Sequence, residues 1–182
     1  MGNHLHKTTL EYRESWDPNQ ADAANWIRNP TLPAGVESWA DVIVDGDTVR
    51  APNESEAAAQ LAAKLAAAKA AKIAAIDART AALLTGGIVV ATGKTISTTL
   101  AATQNLQDLA LGHMLAVVQF PQDVSTTDGG SYSIPNSADL LRIAALLRDH
   151  KLNTLGSGRA LRADVLACAT VAEVEAITDG RA

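Results

Sequence analysis

His4 and His6 lie two residues apart, so an extended strand would turn both imidazoles to one side. Three such pairs on a three-fold axis could hold an octahedral metal. No second cluster of ligands accompanies them, and they read as two solvated histidines. Ala91-Thr92-Gly93-Lys94-Thr95 ends like a phosphate-binding loop. The complete motif needs a glycine five residues before Gly93, where bare backbone wraps the phosphates. Ile88 stands there, and no βαβ repeat surrounds it. His113 falls among apolar residues and reads as a core histidine. His150 is expected near a helix C-terminus, where the dipole favours a cation. Ser157 between two glycines reads as a turn, and Cys168 on an Ala-rich helix as a small buried residue. The carboxylates are scattered, and no nucleophile, base and orienting group form a set. The sequence therefore assigns no catalytic, cofactor-binding or metal-binding residue and implies no cofactor or enzymatic activity.

Recognition by rings is the chemistry that does concentrate. Tyr12, Trp16, Trp26 and Trp39 all fall within residues 1–53, among Pro18, Pro30, Pro33 and Pro52. Such rings left in water promote aggregation, and Trp and Tyr are common interface anchors. The expectation is an extended docking arm over 1–53. It would have no core of its own, and its four rings would insert into pockets on a partner or on the rest of the chain. Its one regular element would be a short hairpin from Val42 to Arg50 around Asp45-Gly46.

A long Ala-rich helix is expected over 54–85, capped by Asn53 with Glu56 completing a capping box, and ended by Gly86-Gly87. Leu61, Leu65, Ile73, Ile76 and Leu83 are separated by four, eight, three and seven residues, which places them on one narrow stripe. Such a stripe suits a coiled coil or slender bundle, so these five are the candidate oligomerisation residues, with a homotrimer favoured over a dimer. The alternative is a single helix packed on its own domain.

Residues 86–182 read as a compact, mainly helical module. The pattern predicts a strand at Ile88 to Val90 and a helix over 103–118 with Leu106, Leu109, Ala110, His113, Met114 and Val117 inward. A hairpin follows around Asp128-Gly129-Gly130, then a helix capped by Asn136 or Ser137 with Leu140, Leu141, Ala144 and Leu147 on its apolar face. Gly156-Ser157-Gly158 is expected to break or bend that helix. Another helix covers 159–169, and Thr170 with Glu173 caps a last short one carrying Val174 and Ile177. The fold class is mainly α with small β-hairpins (α+β).

Composition narrows the function classes. The chain has 182 residues and a net charge of −5, with no run of Lys or Arg to follow a phosphate backbone, so no nucleic-acid partner is expected. No apolar run approaches the ~20 residues a bilayer requires, and residues 1–7 lack a secretory signal's apolar stretch. Hydrophobic residues make up 47%, but aromatics only 3% and much of the rest is alanine, so the core is thin and association would help it. Cys168 is the single cysteine, which suits synthesis in a reducing cytoplasm.

Residues 86–177 resemble a domain of unknown function common in phage tail-fibre gene clusters. The residues that carry this are Ala138-Asp139-Leu140-Leu141, Arg148-Asp149-His150-Lys151 and, most specifically, Arg159 to Ile177. A second likeness lies at the front. His4 to Thr9, Tyr12, Ser15, Trp26-Ile27-Arg28-Asn29-Pro30 and Leu32 resemble the opening of small phage virion or tail-locus proteins. Gly46-Asp47-Thr48-Val49 continues that pattern, although no Lys follows Trp39. Both resemblances imply a structural virion component of the tail, fibre or neck region. It would be made in the host bacterial cytoplasm, dock to other virion proteins and itself, and touch no membrane. A tail-fibre assembly factor left out of the particle and a receptor-binding tip module are the alternatives.

Overall fold

The computed structural model describes residues 2–19 and 21–181. The chain divides into two compact units, Met1–Ala66 and Ala67–Ala182. The architecture is α+β, with long helices and small antiparallel sheets, as the sequence implied.

In the first unit β1 (Gly2–His6) lies between β2 (Tyr12–Trp16) and β3 (Trp26–Arg28) in a three-stranded antiparallel sheet. Leu5 faces Tyr12 on one neighbour and Ile27 on the other. It is fully buried with Ile27 and Val42, against which Tyr12, Leu32, Val36 and Trp39 pack. The segment expected to extend without a core therefore builds a small one. Strand pairing aligns apolar residues whose intervals along the chain show no period, so the alternation is visible only across strands. The expected hairpin is present as β4 (Ile43–Asp45) and β5 (Thr48–Arg50), with Gly46 supplying a φ of +61° at its turn.

α1 (Glu54–Thr85) starts as the sequence requires. The Glu56 amide donates to Asn53 Oδ1 at 2.9 Å, and the Asn53 amide donates to Glu56 Oε2 at 2.8 Å. Arg50 adds two bonds to the same carboxylate, at 2.6 and 2.7 Å. The Arg50 guanidinium, then the Asn53 amide, lower the Glu56 pKa from 4.5 to about 2. A depressed carboxyl stabilises the fold above its unfolded pKa and loses that contribution as pH falls through the folded value. Helical content followed by circular dichroism should thus fall between pH 4.5 and about 2. Glu56→Gln should flatten that part of the titration, and an unchanged titration would remove this role from Glu56.

The second unit holds two more hairpins, β6 (Ile88–Ala91) with β7 (Lys94–Ile96) and β8 (Gln122–Ser125) with β9 (Ser131–Ile134). A bridge between Ile96 and Thr126, with Ser97 N donating to Ser125 O at 3.1 Å, joins them. α2 (Leu100–Met114) and α3 (Ser137–Ala167) close a core of Ile88, Val90, Ile96, Leu106, Val124, Ile134, Leu140 and Ile143. α4 (Val171–Ala176) carries the expected capping box between Thr170 and Glu173.

Three expectations for this unit are corrected. α2 begins at its Thr99 cap rather than near residue 103, and it ends by Leu115. Met114 and Val117, expected inward, are 82% and 73% exposed, and Leu141, expected on the apolar face of α3, is 59% exposed. α3 passes through Gly156-Ser157-Gly158 without a break. The reason is close approach, because a Cβ on Gly158 would sit 2.8 Å from Thr80 Oγ1 and 2.9 Å from Arg181 Nη1. This glycine lets two helices meet, and Ser157 Oγ donates to Asn153 O at 2.8 Å within the helix.

Candidate docking surfaces

The front sheet has a second face, opposite Leu5. Register sets Trp16 across from Gly2, Arg13 and Arg28 on either side of His4, and Trp26 across from His6. Trp16 and Trp26 have ring centroids 4.7 Å apart. The Arg13 guanidinium lies over both, at 4.6 and 5.4 Å from their centroids, within cation–π range. His4 meets Trp16 edge-on at 5.9 Å, and His6 meets Trp26 edge-on at 4.8 Å. The Trp26 indole donates to Asp22 at 2.9 Å, and this bond, with one from Asn25, lowers the Asp22 pKa.

The four expected docking rings have distinct stations. Trp26 is buried, Trp16 is half-buried on the edge strand β2, and Tyr12 and Trp39 stack 4.7 Å apart against the Leu5 core. The histidine pair does share a face, but His4 is buried, with its Nδ1 3.1 Å from Gly2 O, so the solvated reading is corrected for it. No group of three His, Cys, Asp or Glu among the described residues could hold a metal. Arg13 was not legible as part of this surface, because a bulge between Gly2 and His4 sets which β2 side chains share its face.

The five residues of the α1 stripe diverge. Leu61 is 65% exposed, Leu65, Ile73 and Leu83 are half-buried, and Ile76 is 2% exposed. Within the second unit, the later part of α1 is held by its own chain. Lys69 Nζ donates to Leu166 O at 2.8 Å, Lys72 Nζ to Ile177 O at 2.8 Å, and Arg162 pairs with Asp77 at 3.1 Å. Ile76 is therefore not free for another copy, and this half of the helix follows the alternative of packing on its own domain. His150 lies mid-helix rather than near a C-terminus, and its Nε2 is 2.9 Å from Leu83 O in the last turn of α1. His113 is half-buried and edge-on to Phe120. Cys168 is half-buried and donates to Asp164 O. Gly93 and Lys94 form a hairpin turn and strand rather than a phosphate loop before a helix.

Two hollows flank α2. One, of about 480 Å³, lies between α2, α3 and the end of α1; Leu84, Leu100, Ala110, Ala144 and Leu147 line it, with Arg148 and Lys151 at its border. The other is shallow and bordered by Asn105, Asp108, Leu109, Gln122 and Asp123.

Residues 67–179 match the family described as Domain of unknown function (DUF4376). The chain belongs to this family. No curated protein and no solved structure matches it. The DUF4376 match begins at Ala67, the residue at which the second compact unit begins. The module thus includes the second half of α1, whereas the sequence placed its start at residue 86. Trp16, Trp26 and Trp39 all lie outside the DUF4376 segment. No helix of the described residues is long and apolar enough to cross a membrane.

Proposed function

We propose that this protein is a non-enzymatic structural component of a bacteriophage particle, in the tail, fibre or neck region, that works by docking to other virion proteins. The observation that carries the docking role is the plate of Trp16 and Trp26 beneath the Arg13 guanidinium on the sheet face opposite Leu5. Trp and Arg are among the residues most enriched at interface hot spots, and β2 carries both, as the half-buried Trp16 and the exposed Arg13. The phage setting is supported by the likeness of 86–177 to domains from tail-fibre gene clusters and of the front segment to small tail-locus proteins. In this reading the front unit attaches, the DUF4376 module presents a surface, and copies associate, with a homotrimer favoured. The protein is made in the host cytoplasm and resides in the virion.

Mass spectrometry of purified particles tests the setting. A stoichiometric signal is expected, whereas its absence beside normal fibres would favour an assembly factor. Trp16→Ala should reduce incorporation by about tenfold, as loss of one interface anchor does. Deletion of residues 1–52 should abolish it. Normal incorporation of either variant would remove the docking role from the front unit.

A further inference from the structure

The exposed side of α2 has a pattern that its own module does not use. Leu100, Gln104, Gln107, Leu111 and Met114 follow one another at intervals of four, three, four and three residues. That is the spacing of a coiled-coil seam. All five are exposed, at 75% for Leu100, 56% for Leu111 and 82% for Met114, while Leu106 points inward and is buried. We propose that α2 is the seam on which a second copy of this chain packs, with the two α2 helices parallel.

Charge selects both the partner and the direction. Thr103 and Ala110 turn to one side of the stripe, into the hollow bordered by Arg148 and Lys151, which Leu100 and Gln107 of the stripe also line. Asn105 and Asp108 turn to the other side, into the cleft that also holds Asp123. One flank of the seam is therefore basic and the other acidic. Arg148 also contacts Asp149 on its own helix, at 2.8 Å. Antiparallel pairing about a two-fold axis across the helices would set acid against acid and base against base. Rotation about an axis along the helices sets the acidic flank of each copy against the basic flank of the next, which is the attractive arrangement. The apolar ends of the stripe supply burial, and the Gln104 and Gln107 amides, polar groups inside a seam, fix its register. This inference names the surface for the self-association in the proposed function and does not depend on the virion setting.

Light scattering of the full chain at about 100 µM should give a mass above the 18.9 kDa monomer. Leu111→Glu should return it to a monomer, with the circular dichroism spectrum unchanged. Asp108→Lys alone, or Arg148→Glu with Lys151→Glu, should weaken association about tenfold, and the three changes together should restore most of it. A monomeric wild type, an oligomer indifferent to Leu111→Glu, or no rescue by the combined swap would each overturn the proposal. Loss of particle incorporation with the mass unchanged would instead concern the virion reading alone.

Discussion

Replacing Leu5 with alanine should lower the stability of the front unit by about 2–5 kcal/mol, the usual cost of emptying a fully buried leucine site. Leu5 is completely shielded and central to a core whose other buried members are Ile27 and Val42. A core so small has few neighbours to collapse into the cavity. A unit the size of Met1–Ala66 has a total stability of only about 3–10 kcal/mol, so this loss is a large part of it. The chain provides its own reporter, because Trp16, Trp26 and Trp39 all lie in this unit. Fluorescence therefore follows the front unit, while the ellipticity at 222 nm is dominated by α1, α2 and α3. The expected result is a fluorescence midpoint at lower denaturant than in the unsubstituted chain. An unshifted fluorescence midpoint would mean that the rings are not organised by the Leu5 core.

Alanine at two glycines of α3 should act in opposite directions. In a helix interior, alanine is favoured over glycine by about 1 kcal/mol. A Cβ on Gly156 meets nothing within 4 Å, so Gly156→Ala should raise stability by close to that amount. At Gly158 the added Cβ falls 2.8 Å from Thr80 Oγ1 and 2.9 Å from Arg181 Nη1. Neither atom is free to yield. Thr80 Oγ1 donates to Ile76 O at 2.8 Å and accepts from Arg181 at 2.9 Å, and Arg181 also holds Asp179 at 2.6 Å. Overpacking of this kind costs about 1–3 kcal/mol, which outweighs the helical gain. Urea midpoints read at 222 nm should rise for Gly156→Ala and fall for Gly158→Ala. Equal stabilisation by both would show that α1 and α3 do not approach closely at that glycine.

Local signals were legible wherever one or two residues decide the outcome. Asn53 with Glu56, Asn136, and Thr170 with Glu173 cap helices where the sequence placed them, and Gly46 and Gly129 turn their hairpins with φ of +61° and +82°. The candidate surface was legible only in part. Its rings could be named, because large aromatics in a prolyl segment need a partner, but Arg13 and the burial of His4 and Trp26 could not. Their positions follow from which strands pair and in what register, a matter of residues that lie on different strands and well apart along the chain. The same limit hid the outward stripe of α2, since an apolar pattern at helical spacing gives the faces of a helix but not which one its own domain covers.

Composition and short-range chemistry thus determined that this chain is α+β, where α1, α3 and α4 begin, and that its large rings gather at the front. Tertiary structure alone decided that the front segment has a core, that Gly158 sits at a helix contact instead of a break, and that Ile76 is sealed inside its own module while Leu111 and Met114 face outward. Caps and turns are satisfied by neighbours in sequence, whereas burial depends on long-range packing that the chain's order does not encode locally.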